Sequence, residues 1–149
     1  MATSAFRLYD KAKKNMLAAD LDLNAGTLRA YLCRGNGASN YALSVWASVY
    51  AAANRVSGGA YTNIGKTVNA TLSWGASNHV IRFDSTALVW SATGGSDINS
   101  IACLVIGISN GKMLGWVRLT TAAFDLANGN TLTVTPSATG WFELTGGIT

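Results

Sequence analysis

The sequence predicts an all-β fold, an antiparallel β-sandwich with a jelly-roll-like arrangement and one or two short helices in its N-terminal third. Residues 67–74 (T-V-N-A-T-L-S-W) alternate strictly between apolar and polar side chains, as a strand with one buried face does. An apolar run over 101–109 is followed by Asn110-Gly111, a pair typical of tight hairpin turns. The 16 glycines and single proline fit many turns between short strands.

The first 54 residues predict one strand and two helices. Asp10 is expected to cap a helix of two to three turns. The face of this helix that is expected to be buried consists of Tyr9, Ala12, Met16 and Ala19. Residues 27–33 predict the first strand, and the alanine-rich stretch 42–53 predicts a second helix of about three turns.

The rest of the chain predicts the other strands, for a total of seven or eight. They cover 67–74, 79–83, 85–90, 101–109, 113–119, 131–135 and 140–144. In 67–74, the apolar residues Val68, Ala70, Leu72 and Trp74 are expected in the core, with Thr67, Asn69, Thr71 and Ser73 facing solvent or a neighbouring subunit. The continuous apolar run is typical of a strand that is buried on both faces. Trp90, Trp116 and Trp141 are expected to be core or strand residues like Trp74.

Length and composition predict one domain over residues 1–149. Charged residues are only 12% of the chain, about half the usual share, so part of its surface is expected to be covered in an assembly. The net charge of +4 is too dispersed to form the basic stripe of a nucleic-acid-binding protein. We expect no secretory signal and no membrane span, because the longest aliphatic run, 101–108, is about eight residues. A soluble protein made in the cytoplasm is the expectation.

No catalytic or metal-binding pattern emerges from the reactive residues. The single histidine, His79, lies near Asp84 and near Ser77 and Ser85, but no G-x-S-x-G motif accompanies them. Glu143 has the parity of a solvent-facing strand residue. The sequence therefore predicts no enzyme, no cofactor and no metal.

Two further residue groups resemble chemical sites only in part. Asp20, Asp22 and Asn24 begin like a calcium loop, but no glutamate follows at the twelfth position. Cys33 and Cys103 belong to no C-x-x-C motif, and we expect them to be small thiols that are buried or half-buried.

Lys11, Lys13 and Lys14 crowd the start of the first predicted helix. The helix dipole disfavours positive charge at that end by about 0.3–1 kcal/mol for each cation. Two interpretations remain open: a basic face in solvent, or a face that meets an acidic partner.

Four segments together resemble small virion proteins of tailed bacteriophages. The segment V-S-G-G-A-Y-T-N-I-G-K-T at 56–67 is similar to their pattern V-S-G-x-x-Y-T-x-G-G-K-x. The others, in the same order as in that family, are Y-D-K-A-K-K-N-M-L-A-A-D-L-D-L with T-L-R-A-Y-L after it, F-D-S-T-A-L-V-W at 83–90 and the closing G-W-F-E-L. The chain departs from the pattern at Ile64, where a glycine is usual, and in the alanine-rich stretch 42–53.

The resemblance implies an all-β structural component of a phage particle, with no catalytic residues. The family includes capsid decoration (cement) proteins, which commonly sit as trimers on the shell. It therefore implies a virion protein on the capsid surface, with the major capsid protein and further copies of itself as partners, and with neither nucleic acid nor membrane bound. Residues 1–24 are the expected contact segment, and its candidate capsid contacts are Arg7, Lys11, Lys13 and Lys14. The alternative is a tail or fibre module that binds a receptor or glycan through exposed tryptophans and tyrosines.

Overall fold

The computed structural model describes residues 5–18, 20–23, 28–34, 54–62, 64–75, 80–108 and 111–145. Within them, one helix, α1 (Asp10–Leu17), accompanies thirteen strands. The strands are β1 (Arg7–Leu8), β2 (Leu28–Cys33), β3 (Ser57–Gly58), β4 (Lys66–Thr67), β5 (Ala70–Gly75), β6 (Val80–Ser85), β7 (Leu88–Ser91), β8 (Ile98–Ile101), β9 (Cys103–Ile108), β10 (Met113–Arg118), β11 (Phe124–Leu126), β12 (Thr131–Val134) and β13 (Phe142–Thr145).

The largest sheet has the order β1-β10-β9-β2-β4, and all of its pairs are antiparallel. Strand β9 lies near its centre and is buried along most of its length, which confirms the prediction of a strand buried on both faces. The predicted run is divided at Ala102, because Ile101 ends β8 in a different sheet. Strands β9 and β10 form the expected hairpin.

Three smaller antiparallel sheets complete the described fold. Their orders are β11-β8-β3, β12-β7 and β13-β6-β5. Side chains from all four sheets and from α1 form one hydrophobic cluster. The all-β, sandwich-like class is thus confirmed, but these strand orders do not establish a jelly roll. The strands outnumber the prediction for three reasons. Two-residue strands such as β1 and β3 leave no periodic signal in the sequence, the predicted strand 67–74 contributes to two strands, and the short strands β8 and β11 were not predicted, with most of β8 falling in a predicted loop.

The first helix is present, but Asp10 is its first helical residue and not its cap. Tyr9 is the N-cap, in an extended conformation, and its backbone N–H donates to the carbonyl oxygen of Leu114 at 3.1 Å. The chain therefore remains attached to the sheet until Tyr9, and the helix begins only after it. Of the predicted helix face, Tyr9 and Ala12 are fully buried, Met16 is half-buried and Ala19 lies outside the described residues. The second predicted helix, 42–53, lies outside the described residues.

The prediction for 67–74 was wrong in two respects. The segment is not one strand, because β4 pairs with β2 in the large sheet and β5 pairs with β6 in another. Val68, between them, is buried, but Leu72 is 41% exposed and Trp74 is 68% exposed. Apolar and polar residues do alternate in this segment, but the apolar face is largely exposed to solvent at its C-terminal end.

Candidate docking surfaces

The exposed part of β5 belongs to a row of apolar side chains across one small sheet. In the register of β13-β6-β5, Trp74 lies opposite Ile81, and Ile81 lies opposite Leu144. Ile81 is 45% exposed and Leu144 is 42% exposed. We call Leu72, Trp74, Ile81 and Leu144 the apolar row. Grouped apolar exposure of this kind on a folded protein typically marks a surface that binds a partner.

The neighbouring part of the same face is covered by aromatic side chains. Phe83 is fully buried, and its ring stacks on that of Phe142 with centroids 5.1 Å apart. Phe6 stacks on the other side of Phe142 at 6.0 Å. These rings cover the sheet only as far as Phe83, so the residues two positions further along each strand extend beyond the core. This is the physical reason why Trp74 is exposed.

The opposite face of this sheet carries an ion pair. Arg82 donates to Oε1 of Glu143 from Nη2 at 2.8 Å and from Nε at 3.0 Å. The two residues face each other directly across β6 and β13. Glu143 is exposed, as its strand parity predicts, and it serves as the partner of a cation in this sheet.

Leu72 also forms one wall of a cleft of about 330 Å³. The other apolar walls are Met16 at the end of α1 and Leu21 and Leu23 in the segment that follows it, with Asp22 as the polar member. The cleft therefore brings the strand edge next to the N-terminal segment. Sequence reasoning missed it because its walls are distant in the chain.

The four candidate contact residues lie along the N-terminal segment, and all are exposed. Lys11, Lys13 and Lys14 spread around the side of α1 opposite the buried Ala12, as about 100° per residue requires. None of the three makes an ion pair within the part of the chain that the structure describes. Arg7 differs, because its guanidinium lies 5.9 Å from the ring centroid of Trp116.

The residues considered for a catalytic triad have structural partners. The hydroxyl of Ser85 donates to the carbonyl oxygen of Thr86 at 2.9 Å and accepts from the indole N–H of Trp141 at 2.9 Å. Asp84 accepts the backbone N–H of Ser85 through Oδ1. His79 and Ser77 lie outside the described residues. Trp90, Trp116 and Trp141 are buried, as predicted.

The other acids hold loops and an ion pair. Asp20 pairs with Lys112, with Nζ and Oδ2 3.1 Å apart. Asp97 accepts the backbone N–H of Asn128 at 2.8 Å, and Asp125 on β11 accepts that of Ser100 on the paired strand β8 at 2.7 Å. In the described ranges, no three acid, histidine or cysteine side chains are grouped so that they could hold a metal.

Cys33 and Cys103 are buried free thiols, as predicted, and they lie directly opposite each other on β2 and β9. Burial, and secondarily the thiol of Cys103, raise the pKa of Cys33 well above its usual value. Burial likewise raises the pKa of Tyr9, with the two cysteines as further causes. These groups therefore stay protonated and form part of the core.

No family model, no curated protein and no solved structure matches this chain. Among the described residues, no helix is long and apolar enough to cross a membrane. The basic helix and the apolar row are the two surfaces from which a function can be inferred.

Proposed function

We propose that this chain is a structural component of a phage particle, a decoration protein that binds the outside of the capsid and stabilises the shell through non-covalent contacts. The proposed partner is the major capsid protein, and the proposed location is the capsid surface. The phage assignment is supported by the four ordered segments of resemblance, and the binding role is supported by the surfaces of the molecule.

The observation that carries the proposal is the presentation of the lysines on α1. The helix is attached to the large sheet through the buried Tyr9 and Ala12. Lys11, Lys13 and Lys14 consequently project from a supported element and have no ion-pair partner among the described residues. Lys11 and Lys13 lie near the positive end of the helix dipole, Lys14 lies in the last turn, and the three cations raise one another's electrostatic energy. An acidic surface on the shell would relieve this repulsion and would raise the rate of association.

The proposal predicts that charge reversal on α1 weakens binding to the shell. The triple variant Lys11→Glu, Lys13→Glu, Lys14→Glu is added to undecorated shells assembled from the major capsid protein of the same phage. Occupancy is measured by cosedimentation and by cryo-electron microscopy. We expect at least a tenfold loss of affinity, together with a weaker dependence of binding on salt, because these contacts are electrostatic.

The matched control is Lys66→Glu, which changes an exposed lysine on β4, outside the N-terminal segment. We expect it to leave occupancy unchanged. Equal occupancy for the triple variant and the wild type would rule out α1 as the contact. Absence of wild-type binding at any concentration would rule out the decoration function.

A tail or fibre module that binds a glycan is the second candidate, and Trp74 is the observation that favours it. Its side chain is 68% exposed, and an exposed aromatic face is suited to stacking on a sugar ring. Trp74 also borders a cleft of about 160 Å³ with Ser73, Gly75, Val80 and Arg82. Saturable binding on a glycan array that is lost in Trp74→Ala, without binding to capsid shells, would favour this function over the first.

A further inference from the structure

Strand β5 is the longest edge strand in the described part of the chain. It has six residues, and β6 is its only strand partner there. Its four central residues, 71–74, are all exposed. The backbone groups on its outer edge can therefore pair with another strand, which is the usual hazard of a long, open edge.

Among the described residues, most other edge strands carry a charged residue, a common protection against such pairing. Arg7 lies on β1, Lys66 on β4, Glu143 on β13 and Asp125 on β11. Strand β5 (A-T-L-S-W-G) has no charge and no proline. Strands β3, β7 and β12 are also uncharged edges, but β3 has only two residues, and β7 and β12 have four each, some of them buried.

The alternation in β5 is compatible with pairing to an identical strand. When two identical strands pair antiparallel about a two-fold axis, the position of the axis determines which residue of the second copy lies opposite each residue of the first. An axis beside Ser73 places Leu72 opposite Trp74 of the second copy, and Ser73 opposite Ser73. Apolar side chains then share one face of the joined sheet, and polar side chains share the other.

This register also places the exposed Trp74 indole of one copy beside an apolar cleft of the other. Leu72 is a wall of the cleft formed with Met16, Leu21 and Leu23. Trp74 of the second copy, directly across from Leu72, would insert its ring there. Each copy supplies both the exposed indole and the cleft, so the contact is self-complementary and closes after two copies.

We propose that β5 is a self-association edge, at which a second copy of this chain pairs antiparallel and inserts its Trp74 into the cleft beside Leu72. Two strand edges with their indoles and clefts bury on the order of 1,000 Å² in total, the lower limit for a specific interface. The neutral strand brings no like charges together, and the nearby Arg82 is paired with Glu143. A large tryptophan at the centre of an interface is a common source of binding energy.

This inference does not depend on the proposed function, and it differs from the three-fold association that the phage resemblance implies. The mass of the particle in solution distinguishes the two. Sedimentation equilibrium over about 5–500 µM covers the micromolar affinity that an interface of this size can have. We expect a dimer, with twice the 15.5 kDa mass of the chain, and a trimer would overturn the inference.

The register is tested by single cysteines on the polar face of β5. With the axis beside Ser73, the variant Ser73→Cys places two thiols on opposite residues, within the Cα separation that a disulfide bridges. Oxidised glutathione should therefore cross-link it into a covalent dimer. Thr71→Cys is the matched control, because the two residues 71 would be about 14 Å apart. Cross-linking of Thr71→Cys, or no cross-linking of Ser73→Cys, would overturn the register.

The energetic role of Trp74 is tested by Trp74→Lys, which adds a charge to the edge and removes the indole. We expect the dissociation constant of the dimer to rise at least tenfold. Val89→Lys is the control, since Val89 is 43% exposed on another sheet. Circular dichroism establishes that both variants fold, and the cysteine experiment remains decisive if either does not. An unchanged dimer in Trp74→Lys would place self-association elsewhere and would overturn the inference.

Discussion

At Gly58 the backbone has a φ of +90°, in the region that side chains rarely adopt, and a Cβ there would collide with the carbonyl oxygen of Asp97. This glycine lies in β3, which pairs with β8 through Ser57 and Gly58. Gly95 has a similar φ of +80°, but a Cβ there would meet open space. A side chain at Gly95 would therefore meet backbone strain alone, whereas one at Gly58 would meet both strain and a steric collision.

We predict that Gly58→Ala lowers the free energy of unfolding by about 2–3 kcal/mol and that Gly95→Ala lowers it by about 1 kcal/mol. Both variants bear the strain of a positive φ, but only Gly58→Ala must also displace the Asp97 backbone. Urea denaturation of the two variants and the wild type measures the difference. Equal losses would show that the β3–β8 contact is looser than the structure indicates.

Strand β13 joins a partly buried position to an exposed one within three residues. Phe142 packs between Phe83 and Phe6, and Leu144 belongs to the apolar row. The same strand therefore contributes to stability at one end and to a surface at the other. The sequence G-W-F-E-L predicts the position of strand β13. Which of its apolar residues is covered depends on how far the rings of Phe6 and Phe83 extend over the sheet.

We predict that Phe142→Ala costs about 2–3 kcal/mol of stability, because it removes a ring from a stack of three. Leu144→Ala should cost less than about 0.5 kcal/mol in the monomer, as an exposed residue does. Thermal denaturation at low protein concentration compares them. A large loss for Leu144→Ala would mean that the apolar row is packed against something within the same chain.

At the scale of the whole molecule, the protonation of buried groups links stability to pH. The pKa of Cys33 and the pKa of Tyr9 are raised in the folded protein, chiefly by burial. The unfolded chain loses these protons at ordinary values, near 8.5 for a thiol and 10 for a phenol. Ionisation therefore lowers the free energy of the unfolded state once the pH exceeds those values. The contribution of the two buried groups to folding stability is complete only below them.

We predict constant stability between about pH 6.5 and 8 and a decline above pH 8.5, by up to about 1.4 kcal/mol per pH unit for each group. Cys33→Ala should reduce the slope between about pH 8.5 and 10 by removing the thiol that ionises on unfolding. Denaturation midpoints across this range measure the effect. Parallel declines for the variant and the wild type would contradict a role for Cys33.

The sequence by itself determined the class of fold and most of the long elements. Period-two alternation, the apolar run of β9 and the Asn-Gly hairpin signal are local properties, because a strand's side chains alternate whatever it pairs with. The exposure of the lysines on α1 and the burial of Trp90, Trp116 and Trp141 also agree with the spacing.

Only the tertiary structure decided which apolar face remains uncovered. The alternation of β5 assigns Leu72 and Trp74 to the same face as Val68 and Ala70, but burial requires atoms from elsewhere in the chain to cover that face. The rings of Phe6, Phe83 and Phe142 cover the sheet only part of the way. No local sequence pattern encodes where this aromatic cover ends. Strand β5, whose sequence predicts a core strand, therefore provides the surface at which we expect another copy to bind.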